Sequence, residues 1–406
     1  MTQLNSLLKH SVYVLLCFFL AQGAYAQAPA TETEKATERL SRHVHILAAD
    51  SMEGRGLGTE GRLKAIRYIE SEMAAVGLQP LPGADSFRQE FELRIALINL
   101  KGINLVGMLP GSDPELREEY IVVGAHYDHL GYSERGIFPG ADDNASGVAG
   151  ILEIARMLQE KGEPLKRSIL FVAFDAEESG LIGAEKFVEA AKPFPNSAIK
   201  AMFSLDMIGM YEKKGSLELK GLETLAEGLS LLERAESQHD IRIKGTAPTI
   251  ERRTDTWPFG QVGIPAIYVN TGIISPYHTP QDKANLLDYP GMAKVSAFLS
   301  DLLTEMALAP SLSPIENLKN LRNGGSAKRL NTGAQFAMGN AFNRHRSAAF
   351  NSFGVVAFEA GLNAEYKLKN RLELSLATLV EWHGAELGES ILRRASLTAP
   401  CICAII

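Results

Sequence analysis

The chain has 406 residues, of which 46% are hydrophobic and 22% charged; this is the composition of a folded globular protein, long enough for one large domain and something more. Its net charge of −7 excludes the concentrated basic face that phosphate binding needs, so nucleic acid is not an expected partner.

The first element is a targeting segment. Lys9 precedes the apolar run Val12 to Leu20, and Ala24-Tyr25-Ala26 follows as a small-x-small cleavage site. The run is shorter than the roughly 20 apolar residues that span a bilayer. A buried first helix is the alternative, and the ordered series of charge, run and cleavage site argues against it. Residues 1–26 are therefore expected to be a signal peptide. Cys17 lies inside the run before Phe18-Phe19 and does not look like a lipidation site. The mature chain would keep only Cys401 and Cys403, too few for a disulfide framework. An exported chain without one fits a bacterial periplasm or medium, and no membrane association is expected of its main domain.

Thr31 to Arg39 is polar and reads as a solvated start. Helical periodicity follows over Leu40 to Leu47 and again over Glu60 to Val76, where Gly77 supplies a C-cap. From there short apolar runs alternate with amphipathic stretches. Strands are expected at 120–125, 168–174, 201–205 and 265–269, and helices at 145–161, 181–191 and 291–306. Buried strands alternating with helices imply an α/β fold: a mainly parallel, mixed sheet covered on both faces. Residues 27–310 are the expected main domain.

Composition shifts after residue 310. Residues 311–406 hold 11 Lys and Arg against 7 acidic residues, all Glu, whereas the preceding 310 hold 30 basic and 41 acidic residues. Asn323-Gly-Gly-Ser326 resembles a linker. Val355 to Leu379 alternates apolar and polar residues around Lys369-Asn370, a hairpin pattern. Residues 311–406 are expected to be a C-terminal extension, a β-hairpin or a partly disordered appendage, with no readable role. The final Cys403-Ala-Ile-Ile406 has the form of a prenylation box, taken as chance in a bacterial exported chain.

The residues with chemistry sit where predicted strands end, the place where open α/β sheets bind ligands. His126-Tyr-Asp128 follows the first buried strand, and alternation puts His126 and Asp128 on one side. A metal-bound imidazole usually donates its other N–H to a carboxylate, although a plain His–Asp pair is the simpler reading. Neighbouring His129 and Tyr132 carry no comparable argument. Asp142-Asp143-Asn144 opens the next helix, as N-cap residues or as ligands. Asp175-Ala-Glu177-Glu178 follows the second buried strand, where adjacent carboxylates repel unless a cation sits beside them. One Glu can then ligate while the other takes a proton; a solvated acidic turn is the alternative. Asp206 ends a third strand, and His278 lies in the Pro-punctuated Tyr277-His278-Thr-Pro-Gln-Asp282. Each of these last two has a commoner explanation as a cap or a surface residue. Together the set gives two His, several carboxylates and no Cys, which suits catalytic rather than structural zinc. The ligands leave open positions on two metals, as a two-metal hydrolase requires.

The ordered set resembles the M28 family of zinc peptidases, the group of the Streptomyces and Vibrio aminopeptidases. The resemblance runs from about Leu40, through Met52-Glu-Gly-Arg55, to about residue 307. It implies a zinc-exopeptidase fold of the phosphorylase/hydrolase-like kind and two Zn2+ per chain. Asp143 would bridge both ions and form a cis peptide to Asn144. His126 and Asp206 would complete one site, and Glu178 and His278 the other. Glu177 would be the general base for a metal-bridging water, Asp128 would orient His126, and Tyr277 would stabilise the oxyanion. One departure stands out: Thr254-Asp255-Thr256 replaces the Ser-Asp-His that the family often carries. The implied activity is an exported aminopeptidase acting on peptide substrates. The alternatives are an M28-like carboxypeptidase or glutaminyl cyclase, or a non-enzymatic binding or adhesion protein on a decayed peptidase fold. Oligomeric state and side-chain preference have no sequence signal.

Overall fold

A computed structural model of the chain describes residues 30–95, 98–190, 194–316 and 318, together with the backbone of 331–341, 355–368, 372–387, 390–397 and 401–405. The expected signal peptide and its Cys17 lie outside the described residues. The chain divides into two compact units near residue 323.

In the first unit, four apolar runs form the parallel centre of an eight-stranded sheet. Taking strands in chain order, β1 is Arg88–Ile95, β2 Ile98–Leu109, β3 Tyr120–His126, β4 Ser168–Phe174, β5 Ile199–Leu205, β6 Leu217–Lys220, β7 Ile243–Lys244 and β8 Ala266–Asn270. The spatial order is β1-β2-β4-β3-β5-β8-β6-β7, with β4, β3, β5 and β8 mutually parallel. Every residue of β3 and β4 is buried, which is why these strands read as unbroken apolar runs and not as alternation. Alternate side chains nonetheless serve opposite faces. Ile121 and Val123 join Leu40, Ile151 and Phe298 on one side. Tyr120 and Val122 join Phe187 and Phe259 on the other. The helices that supply these partners are α1 Glu32–Leu47, α3 Gly147–Lys161 and α7 Tyr289–Leu308 on the first face, and α4 Ile182–Ala190 and α6 Thr256–Gln261 on the second. Two further helices are α2 Glu60–Val76 and α5 Gly228–Glu236. The expected mixed, mainly parallel α/β class is the class observed.

The solvated start is corrected. Helix α1 begins at Glu32, because Thr31 and Glu34 make a capping box and Ala36 and Leu40 already face the core. The edge strand β1 escaped the sequence reading, since Arg and Glu interrupt it and it is partly exposed; β2, paired on both sides and buried over 102–109, was also not read as a strand. Helix α2 ends at Gly77, whose φ of 88° is the left-handed C-cap conformation. Helix α3 starts later than expected, after a wide turn over Ala141–Ser146 that Gly140 enters at φ 57°. That turn carries Asp143. No helix among the described residues is long and apolar enough to cross a membrane.

Leu312 and Leu318 are buried, and Ile315 donates its amide to the Thr224 carbonyl. The second unit is an antiparallel meander of β9 Asn331–Ala341, β10 Val355–Leu368, β11 Leu372–Leu387 and β12 Ser390–Leu397, with β13 Cys401–Ile405 pairing with β11. Strands β10 and β11 face each other with Leu368 opposite Leu372, so the 355–379 alternation falls on paired strands.

One buried ion pair fixes the end of β4. Asp175 is fully buried and accepts Arg62 Nε at 3.0 Å and Arg62 Nη2, as well as the Ile103 amide at 2.7 Å. Arg62→Met leaves that carboxylate uncompensated in the core. It is expected to cost about 3–5 kcal/mol of stability, the typical penalty for breaking one half of a buried pair. Urea unfolding monitored by circular dichroism checks this, and a loss below 1 kcal/mol refutes it.

Candidate active site

The four parallel strands end together, and the residues just beyond them converge. His126 closes β3, Glu177 and Glu178 follow β4, Asp206 follows β5, and His278 lies in the loop after β8. Asp143 reaches the same point from the turn before α3, and its peptide bond to Asn144 is cis. His126 Nε2 lies 3.3 Å from Asp143 Oδ1 and 3.6 Å from Asp206 Oδ1. His278 Nε2 lies 3.1 Å from Asp143 Oδ2 and 3.3 Å from Glu178 Oε2. Thus all five expected metal ligands come together, in two groups that share Asp143.

The loops are held in unusual conformations. Ala176 directly before Glu177, Met207 directly after Asp206, and His278 itself all have φ between 53° and 60°. Non-glycine residues rarely sit there, and they concentrate where function fixes the backbone. The Asp128 carboxylate accepts the amides of Glu177 at 3.0 Å and Glu178 at 3.3 Å, and so sets the acidic turn. Its carboxylate stands 3.9 Å from His126 Nδ1, but its backbone carbonyl oxygen stands at 3.1 Å. The imidazole N–H therefore goes to the carbonyl, which leaves Nε2 free to face Asp143 and Asp206. Asp282 accepts the amides of Asp142 and Asp143, which fixes the turn that carries Asp143. Arg55 is fully buried and donates to four carbonyls, those of Leu47, Tyr127, Pro139 and Gly140.

Electrostatics separates the two neighbouring glutamates. Burial, with Asp255, Asp206 and Asp128 nearby, pushes Glu177 up to about 10 despite the opposing pull of His126. Among the described residues its carboxylate makes no hydrogen bond. Glu178 is also penalised by burial, but the hydrogen bond from His129 and the His278 imidazole 3.3 Å away hold it down at about 2. Asp143 is likewise held below the usual carboxylate range, because His126 and His278 outweigh its burial. Burial disfavours charge on His126, yet Glu177, Asp143 and Asp206 keep its pKa well above the ordinary imidazole value. His278 is raised to about 10, its carboxylate neighbours Asp143 and Glu178 overcoming partial burial. Burial and the surrounding acids push Tyr277 well above the ordinary phenol range, so it remains a neutral phenol. Its ring stacks on His278 with centroids 3.7 Å apart.

The residues fit a metal on structural grounds. Asp143 Oδ2 and His278 Nε2 are buried, and neither has a hydrogen-bond partner. Two donors about 2.05 Å from one tetrahedral ion stand about 3.3 Å apart, and the separations above cluster near that value. A cavity of about 550 Å³ opens over these donors, walled also by Glu177, Tyr268, Ile273 and Tyr277.

The sequence reading set aside His129. The structure buries it beside the second group, with Nδ1 2.8 Å from Glu178 Oε1 and 3.8 Å from Asp143 Oδ2. Its signal was a second His in His126-Tyr-Asp-His129, at an offset that strand alternation does not explain. Tyr132, set aside with it, is exposed. At the Ser-Asp-His departure, Thr256 Oγ1 donates to the Glu251 carbonyl at 2.9 Å and lies 2.7 Å from Thr254 Oγ1. Asp255 is buried there with both carboxylate oxygens unpartnered, and burial raises it to about 8.

Comparison with known proteins places this geometry in a family. Residues 104–303 match the model of peptidase family M28. Aminopeptidase YwaD of Bacillus subtilis is 30% identical over 194 residues, which cover 46% of this chain and 41% of that protein. The chain spans only about four-tenths of the length of the first curated relatives it matches. Among solved structures, an aminopeptidase from Aneurinibacillus sp. strain AM-1 aligns with a TM-score of 0.53 at 18% identity, over 70% of this chain and 96% of that one. A glutaminyl cyclase from Bacteroides thetaiotaomicron gives the same TM-score and identity, over 66% of this chain and 97% of that one. Likeness at such identities establishes the fold alone.

Zinc takes neutral imidazole, whereas without metal His126 and His278 hold protons above the ordinary imidazole range. Metal binding must expel those protons, so affinity rises with pH and falls as the solution is acidified. At least two protons are expected to leave per fully loaded chain near pH 7. Calorimetric zinc titration in buffers of different ionisation heat counts them, and a count of zero between pH 6 and 8 contradicts the assignment.

Proposed function

The chain belongs to peptidase family M28, and on that premise we propose that it is an exported di-zinc aminopeptidase that removes N-terminal residues from peptides. The observation that carries this reading is the divergence of Glu177 and Glu178. The two adjacent carboxylates end at the same cavity, one unpaired and proton-retaining, the other drawn into a group of donors. An acid and a ligand in adjacent positions are what metal-assisted hydrolysis requires.

In this reading His126, Asp206 and Asp143 hold one zinc, and Asp143, Glu178 and His278 hold the other. The metals supply Lewis acidity, polarising the scissile carbonyl and acidifying water. Glu177 takes the proton of the attacking water and returns it to the leaving amine. Glu177 would be ionised for this role beside bound metal charge. The neutral Tyr277 phenol at the cavity wall donates to the developing oxyanion. The Asp128 carbonyl holds His126 in the tautomer that presents Nε2, and its carboxylate holds the Glu177-Glu178 turn. Acidic groups around the metals receive a free α-amine, which favours exopeptidase action at the N-terminus. Export rests on the sequence pattern of residues 1–26, and residues 27–310 are the proposed peptidase domain.

Glu177→Gln removes the proton acceptor and keeps the volume. It is expected to retain two zincs and the wild-type melting temperature while turnover of aminoacyl-nitroanilides falls by roughly 10²–10⁴. Chelation of the wild type should abolish the same activity, and zinc should restore it. Near-wild-type turnover in the Gln variant rules out Glu177 as the base.

A further inference from the structure

His129 is absent from the two donor groups of the proposed function, yet it is buried at their edge and touches a member of one. Its Nδ1 lies 2.8 Å from Glu178 Oε1, and a carboxylate only accepts, so the ring N–H must donate. The other oxygen of that carboxylate, Oε2, is the one 3.3 Å from His278 Nε2. The two imidazoles thus divide the two oxygens of Glu178 between them.

Two readings of His129 are open, as a further ligand or as a hydrogen-bond donor, and the distances separate them. Donors sharing a tetrahedral zinc stand about 3.3 Å apart, and His278 satisfies this against both Asp143 and Glu178. His129 Nδ1 is too close to Glu178 Oε1 for that arrangement, at an ordinary hydrogen-bond length, and at 3.8 Å is too far from Asp143 Oδ2. Simple packing does not account for it either, because Nε2 is buried without a partner, a cost that a histidine kept only for its volume would not carry. The ring is also fixed in place. A Cβ on Gly140 would lie 2.5 Å from its Cδ2, and Gly140 adopts φ 57° with its carbonyl held by Arg55.

We infer that His129 is a positioning residue, which holds Glu178 by Oε1 so that Oε2 alone is offered to the second metal. The inference rests on the two-metal reading. A carboxylate left free to rotate or to bind through both oxygens would hold that metal less well, while the His126–Asp206 site, which His129 does not touch, would be unaffected.

The test is zinc affinity, measured on the full chain by competition with a calibrated chromophoric chelator, with no substrate present. His129→Leu keeps the bulk and removes the donor. It is expected to weaken one of the two zincs about 10–100-fold and to leave the other unchanged. His129→Asn places an amide N–H near the position of Nδ1 and should restore most of the loss. His129→Gln carries its amide too far out and should not. If the Leu variant fails to fold, judged by thermal melting of the metal-free chain, the Asn and Gln pair decides. Two zincs of wild-type affinity in the Leu variant, or an Asn variant as weak as Gln, overturns the role given to His129. A wild type that binds a single zinc overturns the two-metal reading itself, and this inference with it.

Discussion

Repulsion among carboxylates crowded at the buried ends of parallel strands is the constraint around which the first unit is organised. Asp128, Asp142, Asp143, Asp175, Asp206, Asp255 and Asp282 are all buried at this end of the sheet, beside Glu177 and Glu178. Left unanswered, that charge would unfold the end of the sheet or force protons onto it. The chain answers locally with backbone N–H groups. Asp128 takes two, Asp282 takes those of Asp142 and Asp143, Asp175 takes those of Ile103 and Ala176, and Asp142 takes that of Gly209. Arg62 pairs directly with Asp175, and Arg55 adds a buried positive charge behind the cluster. What these devices leave over is the central group, whose imidazoles and carboxylates compete for protons in the absence of a cation. The sheet therefore makes a metal site by tying down most of the surrounding acids while leaving those at its centre, and Asp255, without such donors.

This division of labour also explains why the site lies on loops and yet is rigid. The strands fix only the point of departure of each loop. The final direction comes from left-handed residues at Ala176, Met207 and His278 and from buried polar ties such as Asn104, which accepts the Asp175 amide and donates to the Gly183 carbonyl. Asn144 links two loops in the same way, donating to the Leu205 carbonyl and accepting the amides of Gly147 and Met207. Such ties resist the splaying that like charges would cause, so a metal ion meets donors already gathered.

Much of this was legible in the sequence, for a physical reason. Strands buried on both faces show as apolar runs, and the first polar residues after such runs mark the open edge of the sheet. His126, Asp206 and the Glu177-Glu178 pair could be located in this way without any knowledge of tertiary structure. His278 and Asp143 were weaker, since a loop histidine and a helix-start aspartate have common alternatives, and only their gathering with the others distinguishes them. His129, Arg55 and Asp282 remained invisible as participants. Each acts through a partner distant in sequence: Arg55 meets the Pro139 and Gly140 carbonyls, Asp282 meets the Asp142 amide, and His129 meets Glu178. No local period encodes such contacts. The edge strand β1 was missed because a strand with an exposed flank keeps charged residues. The start of α1 was missed because a polar capping box resembles a solvated terminus until the burial of Ala36 is known.

One fold can support several reactions, so the choice between one-metal and two-metal chemistry has to come from donors. A single ion held by Asp143, Glu178 and His278 would leave His126 facing Asp143 and Asp206 at 3.3 and 3.6 Å with nothing between them. A buried imidazole beside a carboxylate normally closes to a hydrogen bond near 2.8 Å, as that of His129 does with Glu178. His126 does not close, although its other nitrogen is fixed by the Asp128 carbonyl and its ring cannot turn away. A ring held at that distance from two acids spends electrostatic energy that a closed pair would recover, and it gains from the arrangement only if a cation occupies the gap. The same reasoning applies to His278, whose Nε2 is near two carboxylates and hydrogen-bonded to neither. Two imidazoles held off in the same manner, on opposite sides of Asp143, argue for two ions and against one.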